Sequence, residues 1–276
     1  MMRIRKHPTG NQYLLTEANI WVRDFSVVVK PLDINKLSTK QDYSLYFENE
    51  IANERNNLAV LEIGSMKYHS AVIVSDGYKF KEKTKLLEAL PSGVAVIATN
   101  RTLVKWNVDR KIDFFVVNNP YNECMNYMPS HRYYPRCIVS TRTCPQFVKT
   151  YKERGGVVLG YVPTHEGYYS SPYKSLNLDD YRNPVCASIH LAQRLGVTKL
   201  LLFCCDDSFD AERPAAVKLE NGSWTYPQHL MSHSIIGGML HWYKKIKGVK
   251  IGDHSSGPFY EDVPYISAEE VCGFFK

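Results

Sequence analysis

The sequence has no long apolar run, and this absence excludes two classes of protein. No stretch reaches the roughly 18 apolar residues that a membrane-spanning helix requires. The basic start at residues 1–8 is not followed by the roughly 7–15 apolar residues of a secretory signal. We therefore expect a cytoplasmic protein that does not associate with a membrane.

The cysteines lack the Cys-x-x-Cys spacing, which excludes a zinc knuckle and a redox pair of that type. There are seven cysteines, an odd number. Cys204 and Cys205 end an apolar run, as buried thiols do. We expect both to be buried and to form no disulfide bond, in keeping with a reducing compartment.

A strong charge of either sign is also missing. Lysine and arginine exceed aspartate and glutamate by 34 to 28, which gives a net charge of +6. This excess is too small and too scattered to indicate a nucleic-acid binder, although it favours anionic ligands. Hydrophobic residues make up 44% of the chain, a proportion typical of folded domains.

Two regions differ in their pattern. Residues 1–57 are polar and weakly periodic, with a β-like piece at 25–30 and a helix around 40–55, and indicate an N-terminal extension or small subdomain. From residue 58 to 276, short Val-, Ile- and Leu-rich runs alternate with helical patterns. The runs are 58–63, 70–74, 94–98, 114–117, 138–140, 157–159, 200–204 and 249–251, and the helices are 79–90, 145–154, 185–195 and 232–246. This alternation predicts an α/β, Rossmann-like domain with a mostly parallel sheet and helices on both faces.

Two further segments have distinctive patterns. Ser267 and Glu270 have the spacing of a capping box and predict a last helix that begins there. Residues 161–182 lack periodicity and are rich in tyrosine. A loop of this length is either a substrate lid or an inert insertion, and the sequence leaves both interpretations open.

A nucleotide-binding turn is predicted where the strand at 70–74 meets the following helix. Ligands of parallel α/β sheets bind at the carboxyl ends of strands, and the first turn of a helix attracts phosphate. Gly77 allows close approach of the backbone, and Lys79 adds positive charge. Asp76 would repel phosphate unless a cation lay between them. The alternative is a tight turn followed by a solvated lysine face.

Polar residues after the next two strands belong to the same prediction. Asn100 suits a base edge or a ribose, Arg101 suits a phosphate, and Asn119 follows the third strand. Because these loops share one edge of the sheet, we expect them to converge with Gly77 and Asp206 on one cleft. Helix capping at Asn100 and ordinary turn chemistry at Asn119 are the alternatives.

The predicted catalytic residues lie later in the chain. Asp206 and Asp207 end the strand at 200–204, where they could hold Mg²⁺, accept from ribose hydroxyls or act as a base. Capping of the next segment is the alternative. His229 and His233 are four residues apart, and one of them could act as general acid or base. No carboxylate follows them in the order of the zinc proteases, and both could be ordinary surface histidines.

These pieces occur in an order that resembles, distantly, the archaeal 6-hydroxymethylpterin diphosphokinase-like family and the related Rossmann-like bacterial sialyltransferases. The resemblance covers residues 71–266. Both families carry a glycine turn, then an asparagine, then an Asn-Pro or Asp-Pro step after successive strands, and later a terminal aspartate. The matching positions here are Gly77, Asn100, Asn119-Pro120 and Asp206 or Asp207, and His229 or His233 matches the base of the sialyltransferases. The chain departs from the pattern at Asp76-Gly77-Tyr78-Lys79-Phe80 and at Asn183-Pro184, where the families have Gly-Pro-Ser-Leu and a Gly or Ser.

The resemblance implies a nucleotide-dependent transferase that binds a nucleoside triphosphate or a nucleotide-sugar and acts on a small-molecule acceptor. In this hypothesis Asp206 and Asp207 hold Mg²⁺. The departure at Gly77 favours a second hypothesis. The chain would then be a catalytically degenerate relative that serves as a binding or structural component of an oligomer or larger assembly.

Overall fold

The computed structural model describes residues 3–6, 12–15, 21–23, 40–60, 66–77, 79–129, 133–163, 177–178, 180, 183–205, 217–218, 224–225, 236–237, 239–241, 243–244, 248–255 and 263–276. Its strands are β1 (Arg3–Lys6), β2 (Gln12–Leu15), β3 (Trp21–Arg23), β4 (Ala59–Val60), β5 (Ser70–Val74), β6 (Val94–Thr99), β7 (Phe114–Val117), β8 (Arg136–Ser140), β9 (Val158–Pro163), β10 (Asn177–Leu178), β11 (Lys199–Phe203), β12 (Val217–Lys218), β13 (Trp224–Thr225) and β14 (Lys250–His254). Its helices are α1 (Lys40–Arg55), α2 (Phe80–Lys83), α3 (Lys85–Glu88), α4 (Pro145–Glu153), α5 (Pro184–Arg194) and α6 (Val271–Phe274), with 3₁₀ helices at Asn100–Leu103 and Asn122–Tyr127.

The main sheet is parallel throughout the described chain, which confirms the predicted fold class. Its order is β10-β9-β8-β7-β6-β5-β11-β14, and β4 also pairs with β9. Every strand pair in this sheet is parallel. Strands β1, β2 and β3 form a separate antiparallel sheet, and β12 pairs with β13.

The strand order reverses direction at β5. The chain adds β6, β7, β8 and β9 on one side of β5, and then returns through α5 to place β11 on the other side. Such a switch point in the strand order leaves a crevice at the carboxyl edge of the sheet. Helix α5 makes this return by packing across β5, β6 and β7.

Side chains of each central strand alternate between two buried layers. In β5, Ala71 and Ile73 face the layer that contains α5, whereas Val72 and Val74 face the layer that contains α4 and α6. All five residues of β5 are buried. A strand covered on both faces can be apolar throughout, which explains why the apolar runs located these strands.

Two helix predictions needed correction. The helix predicted at 79–90 is two short helices that meet at Thr84, and Lys79 has a left-handed φ of 54° instead of a helical one. The last helix begins at Val271 and not at Ser267, although the Ser267 amide does donate to Glu270 Oε2 at 3.0 Å. The β-like piece at 25–30 lies outside the described residues. No helix in the described part of the chain is long and apolar enough to cross a membrane.

Candidate functional site

Two adjoining cavities open at the carboxyl edge of the sheet. One lies at the switch point beside β5, has a volume of about 320 Å³, and is called the switch-point pocket here. Its described lining is Ser75, Asp76, Gly77, Asn100, Arg101, Glu123, Asn126, Tyr127, Asn183, Pro184 and Val185. The other, the outer pocket, has a volume of about 340 Å³. Its described lining is Tyr46, Asn100, Asn118, Asn119, Pro120, Tyr121, Glu123, Ser140, Arg142, Pro163 and Asp180.

The predicted loops therefore meet at one edge, as far as the described residues extend. Gly77 and Arg101 line the switch-point pocket, Asn119 lines the outer pocket, and Asn100 lines both. Asn100 has a left-handed φ of 43° and begins the 3₁₀ helix after β6. The hydroxyls of Thr99 and Thr102 donate to the Val74 carbonyl at 3.3 and 3.4 Å, which ties this loop to the end of β5.

Asp76 carries its own counter-charges. Its Oδ2 lies 2.7 Å from Lys105 Nζ and 3.3 Å from Arg101 Nε, and its side chain is 10% exposed. The sequence predicts that phosphate binds here only with a cation beside Asp76. Lys105 and Arg101 supply that positive charge. The ion pair with Asp76 lies on the Nε side of Arg101, and a guanidinium carries four further N–H groups that can bind a ligand at the pocket wall.

Lys79 and Asn119 are predicted to bind a nucleotide, and the side chains of both have partners within the protein. Lys79 is not among the described lining residues of either pocket, and its Nζ lies 3.5 Å from Glu82 Oε2. Asn119 lines the outer pocket, but its Oδ1 accepts from the Tyr121 amide at 2.8 Å, and its Nδ2 donates to Tyr127 Oη at 3.0 Å. Turn chemistry therefore accounts for the side chain of Asn119. A direct ligand contact by either residue stays a prediction.

Two asparagine atoms in these pockets are buried without a hydrogen-bond partner among the described residues. They are the acceptor Oδ1 of Asn100 and the donor Nδ2 of Asn118. An unmade hydrogen bond at a buried polar atom costs about 1–3 kcal/mol, so such atoms favour a ligand or water that completes them. Asn118 was not singled out in the sequence, where it is one of two adjacent asparagines that turn chemistry could explain.

The amino end of α5 forms one wall of the switch-point pocket. Asn183 caps this helix by accepting from the Val185 amide at 2.8 Å, and Pro184 occupies the first helical position. The helix is 11 residues long, and its first turn carries partial positive charge. The departure at Asn183-Pro184 from the Gly or Ser of the resembled families thus leaves a well-formed helix start that faces the cavity.

The outer pocket includes residues from outside the predicted core. Tyr46 comes from α1, and the buried Arg142 comes from the loop after β8. The sequence predicted the helix at 40–55 but contained no signal of what it would contact. The periodicity of a helix identifies its faces and not their partners. The division of the chain at residue 57 itself stays a prediction.

Cys124 and Cys144 form a pair of buried thiols, and Cys124 directly follows Glu123, which lines both pockets. Cys124 belongs to the 3₁₀ helix Asn122–Tyr127, and Cys144 immediately precedes α4. A hydrogen bond from the Cys124 thiol lowers the pKa of Cys144 to about 6, helped by amides of the first turn of α4 and opposed by burial. The same bond, with burial, raises the pKa of Cys124. Cys144 Sγ also lies 3.0 Å from Asn122 Oδ1.

The four predicted catalytic residues, Asp206, Asp207, His229 and His233, lie outside the described residues. The structure does describe Cys204 and Cys205, which directly precede Asp206 in the chain. Cys204 and Cys205 are buried and form no disulfide, which confirms that prediction. The Cys205 amide donates to Ser255 Oγ at 3.1 Å, and Ser255 Oγ donates to Asp253 Oδ1 at 2.6 Å. Within the described part of the chain, no cluster of three or more His, Cys, Asp or Glu side chains could hold a metal.

Comparisons with known proteins give a likeness in fold. No protein-family model matches the sequence, and no curated protein matches it. A solved structure described as the MAf glycosyltransferase from Magnetospirillum magneticum AMB-1 is similar, with a TM-score of 0.58 and 16% identity. The match covers 82% of this chain and 39% of that one, so the chain spans about two fifths of that structure's length. The chain therefore shares an α/β fold with part of a glycosyltransferase.

Proposed function

We propose that the chain is a nucleotide-dependent transferase of the glycosyltransferase kind, and that the switch-point pocket binds the phosphates of a nucleotide-sugar. The observation that carries this proposal is the meeting of three anion-binding features in one cavity of about 320 Å³. They are the Gly77 loop after β5, the guanidinium of Arg101 and the amino end of α5. The loop and the helix start favour negative charge through backbone N–H groups. Arg101 favours it through the guanidinium N–H groups that face away from its ion pair with Asp76.

The two adjoining pockets suggest where the phosphates and the sugar of a nucleotide-sugar would bind. Asn100 lines both cavities, and its unpartnered Oδ1 can accept from a hydroxyl of the attached sugar at their junction. Phosphates in the switch-point pocket would then place the attached sugar in the outer pocket. The likeness to a glycosyltransferase favours this arrangement over transfer of diphosphate, which needs no sugar site.

The chemical step is assigned to residues that follow β11 and lie further along the chain. We propose that Asp206 and Asp207 hold Mg²⁺, which would offset phosphate charge, and that His229 or His233 moves the proton of the acceptor. Replacing both aspartates by asparagine should then abolish turnover and Mg²⁺-dependent binding. Variants of the two histidines should keep residual activity, because a positioned base typically contributes about 10²–10⁴-fold.

A thermal-shift screen tests the binding step. Nucleoside mono-, di- and triphosphates and nucleotide-sugars are compared with and without Mg²⁺. A ligand at 100 times its dissociation constant should stabilise the chain by about 2.7 kcal/mol. Arg101→Ala should weaken that ligand by about tenfold or more, because a hydrogen bond to a charged group contributes about 1.5–3 kcal/mol.

The matched control is Arg154→Ala, which removes the same charge from an exposed position at the carboxyl end of α4. It should bind the ligand as the wild type does. If no nucleotide shifts the wild type under any condition, the proposed transferase is rejected, and the hypothesis of a degenerate binding or assembly component replaces it.

A further inference from the structure

Helix α1 precedes the Rossmann-like core in the sequence, yet one of its faces forms part of the outer pocket. Tyr46, Asn49, Glu50 and Asn53 are spaced three, four and seven residues from the first, so they lie on the same side of the helix. Tyr46, Asn49 and Asn53 are buried, and α1 packs against α4. This face therefore meets the loop between β8 and α4.

The two asparagines of this face hold the backbone of the pocket. Asn49 Nδ2 donates to the carbonyls of Pro120 and Arg142 at 2.9 and 3.0 Å. One turn later, Asn53 Nδ2 donates to the carbonyls of Thr141 and Thr143 at 2.8 and 2.7 Å. An amide nitrogen has two N–H groups, so both side chains use their full donor capacity on these loops.

The same face also orients the side chain of Arg142. Glu50 Oε2 lies 3.8 Å from Arg142 Nε, and the guanidinium carbon lies 5.7 Å from the ring centre of Tyr46. Glu50 Oε1 additionally accepts from the Thr141 hydroxyl at 3.4 Å. The Arg142 side chain is 11% exposed, so protein neighbours, Glu50 and Tyr46 among them, fix its direction more than solvent does.

We propose that Asn49, Glu50 and Asn53 are positioning residues, which hold Arg142 so that it binds the sugar carried by the nucleotide. This inference rests on the proposed function. Arginine offers five N–H donors and no acceptor, and the unpartnered Nδ2 of Asn118 adds a donor to the same pocket. The same lining also offers acceptors, among them Asn100 Oδ1 and the carboxylate of Glu123. A ligand of such a pocket must both accept and donate hydrogen bonds, as the hydroxyls of a sugar do. Helix α1 thereby determines which sugar the outer pocket accepts.

The test compares nucleotide affinity with nucleotide-sugar affinity in each variant. UDP, GDP and CMP are titrated with and without their sugars, and the pair that binds the wild type most tightly is used. The gain from the sugar is the ratio of the nucleotide-sugar affinity to the bare-nucleotide affinity. Asn49→Asp and Glu50→Gln should each lower this ratio by about threefold to tenfold, and Arg142→Lys should lower it by about tenfold. All three should keep the affinity for the bare nucleotide within about twofold. Glu54→Gln, at an exposed position of α1, is the matched control and should change neither affinity.

Two results would overturn the inference. If the variants weaken bare nucleotide and nucleotide-sugar equally, or leave the gain from the sugar unchanged, α1 has a structural role only and the proposed function stands. If the wild type binds no nucleotide at all, the proposed function fails and the inference fails with it. Asn49→Asp places an acceptor against two carbonyls and could unfold the chain, whereas the nearly isosteric Glu50→Gln keeps the test decisive.

Discussion

The two pockets each contain an arginine, and the two arginines are held in different ways. Arg101 is 46% exposed and pairs with Asp76, a neighbour in the loops of the core. Arg142 is 11% exposed and is held by Glu50 from α1. The ion pair of Arg101 spans 3.3 Å, and that of Arg142 spans 3.8 Å. Among the described residues, the lining of the switch-point pocket therefore comes from the core, whereas the outer pocket also includes a helix that precedes the core.

The switch-point pocket is a general feature of this fold, whereas the outer pocket is a particular feature of this chain. Parallel sheets of this kind provide a crevice at the switch point regardless of what precedes the first strand. The outer pocket needs hydrogen bonds between α1 and loops about 90 residues away in the sequence. Substitutions in the two regions should consequently have different effects on stability and on ligand preference.

The largest loss of stability is expected at Asn53. Asn53→Leu removes the donor of two hydrogen bonds to buried carbonyls, and should lower the free energy of unfolding by about 2–4 kcal/mol. Urea denaturation measures this loss. Glu54→Ala, at the next and exposed position of α1, should stay within about 0.5 kcal/mol of the wild type. A loss below 1 kcal/mol at Asn53 would show that α1 contributes little to the loops of the outer pocket.

A smaller loss is expected at Asp76. Asp76→Asn leaves Arg101 and Lys105 without their shared carboxylate, and should cost about 1–3 kcal/mol. Glu50→Gln should cost less, because its ion pair is longer. A double-mutant cycle between Asp76→Asn and Arg101→Gln measures the coupling directly. A coupling below about 0.5 kcal/mol would mean that the pair does not position Arg101.

The smallest effect concerns the thiol pair, and depends on pH. The pKa of Cys144 falls from 9.0 to about 6 on folding. Between these values the unfolded chain binds more protons, so this group stabilises the fold as pH rises and loses its contribution as pH falls through about 6. The gain from pH 6 to pH 7 is about 1 kcal/mol. The pKa of Cys124 is raised, so its thiol stays protonated in this range.

Unfolding free energies of the wild type and Cys144→Ser, measured from pH 5.5 to 8.5, test this assignment. The wild type should gain stability over the variant as pH rises. A difference that is constant with pH, or that shrinks as pH rises, would contradict the lowered pKa of Cys144.

Local signals in the sequence located most of the core. The bounds of β5, β7 and α1 agree with the predicted ones, because apolar runs and helical periodicity are local properties. Gly77 and Asn100 were found for a related reason, since residues that follow parallel strands must share one edge. The sequence misplaced the start of the helix at Lys79, where a left-handed φ ends the turn before the helix begins at Phe80.

Residues of the outer pocket could not be predicted, because their roles depend on distant contacts. Arg142 follows β8 within a run of threonines and a serine, and nothing in that run indicates that α1 will surround its guanidinium. Asn49 and Asn53 have the spacing of one helix face, but an asparagine on a helix is most often solvated. Their contacts become evident only from the packing of α1 against the loop.

Hydrogen–deuterium exchange of the wild type, with and without the nucleotide that stabilises it most, tests the central claim most directly. The account predicts slower exchange at residues 74–77, 100–103 and 183–187, which surround the switch-point pocket. It predicts no change at residues 110–113, which precede β7 at the opposite edge of the sheet. Protection confined to other segments, or absent despite binding, would contradict a nucleotide site at the switch point.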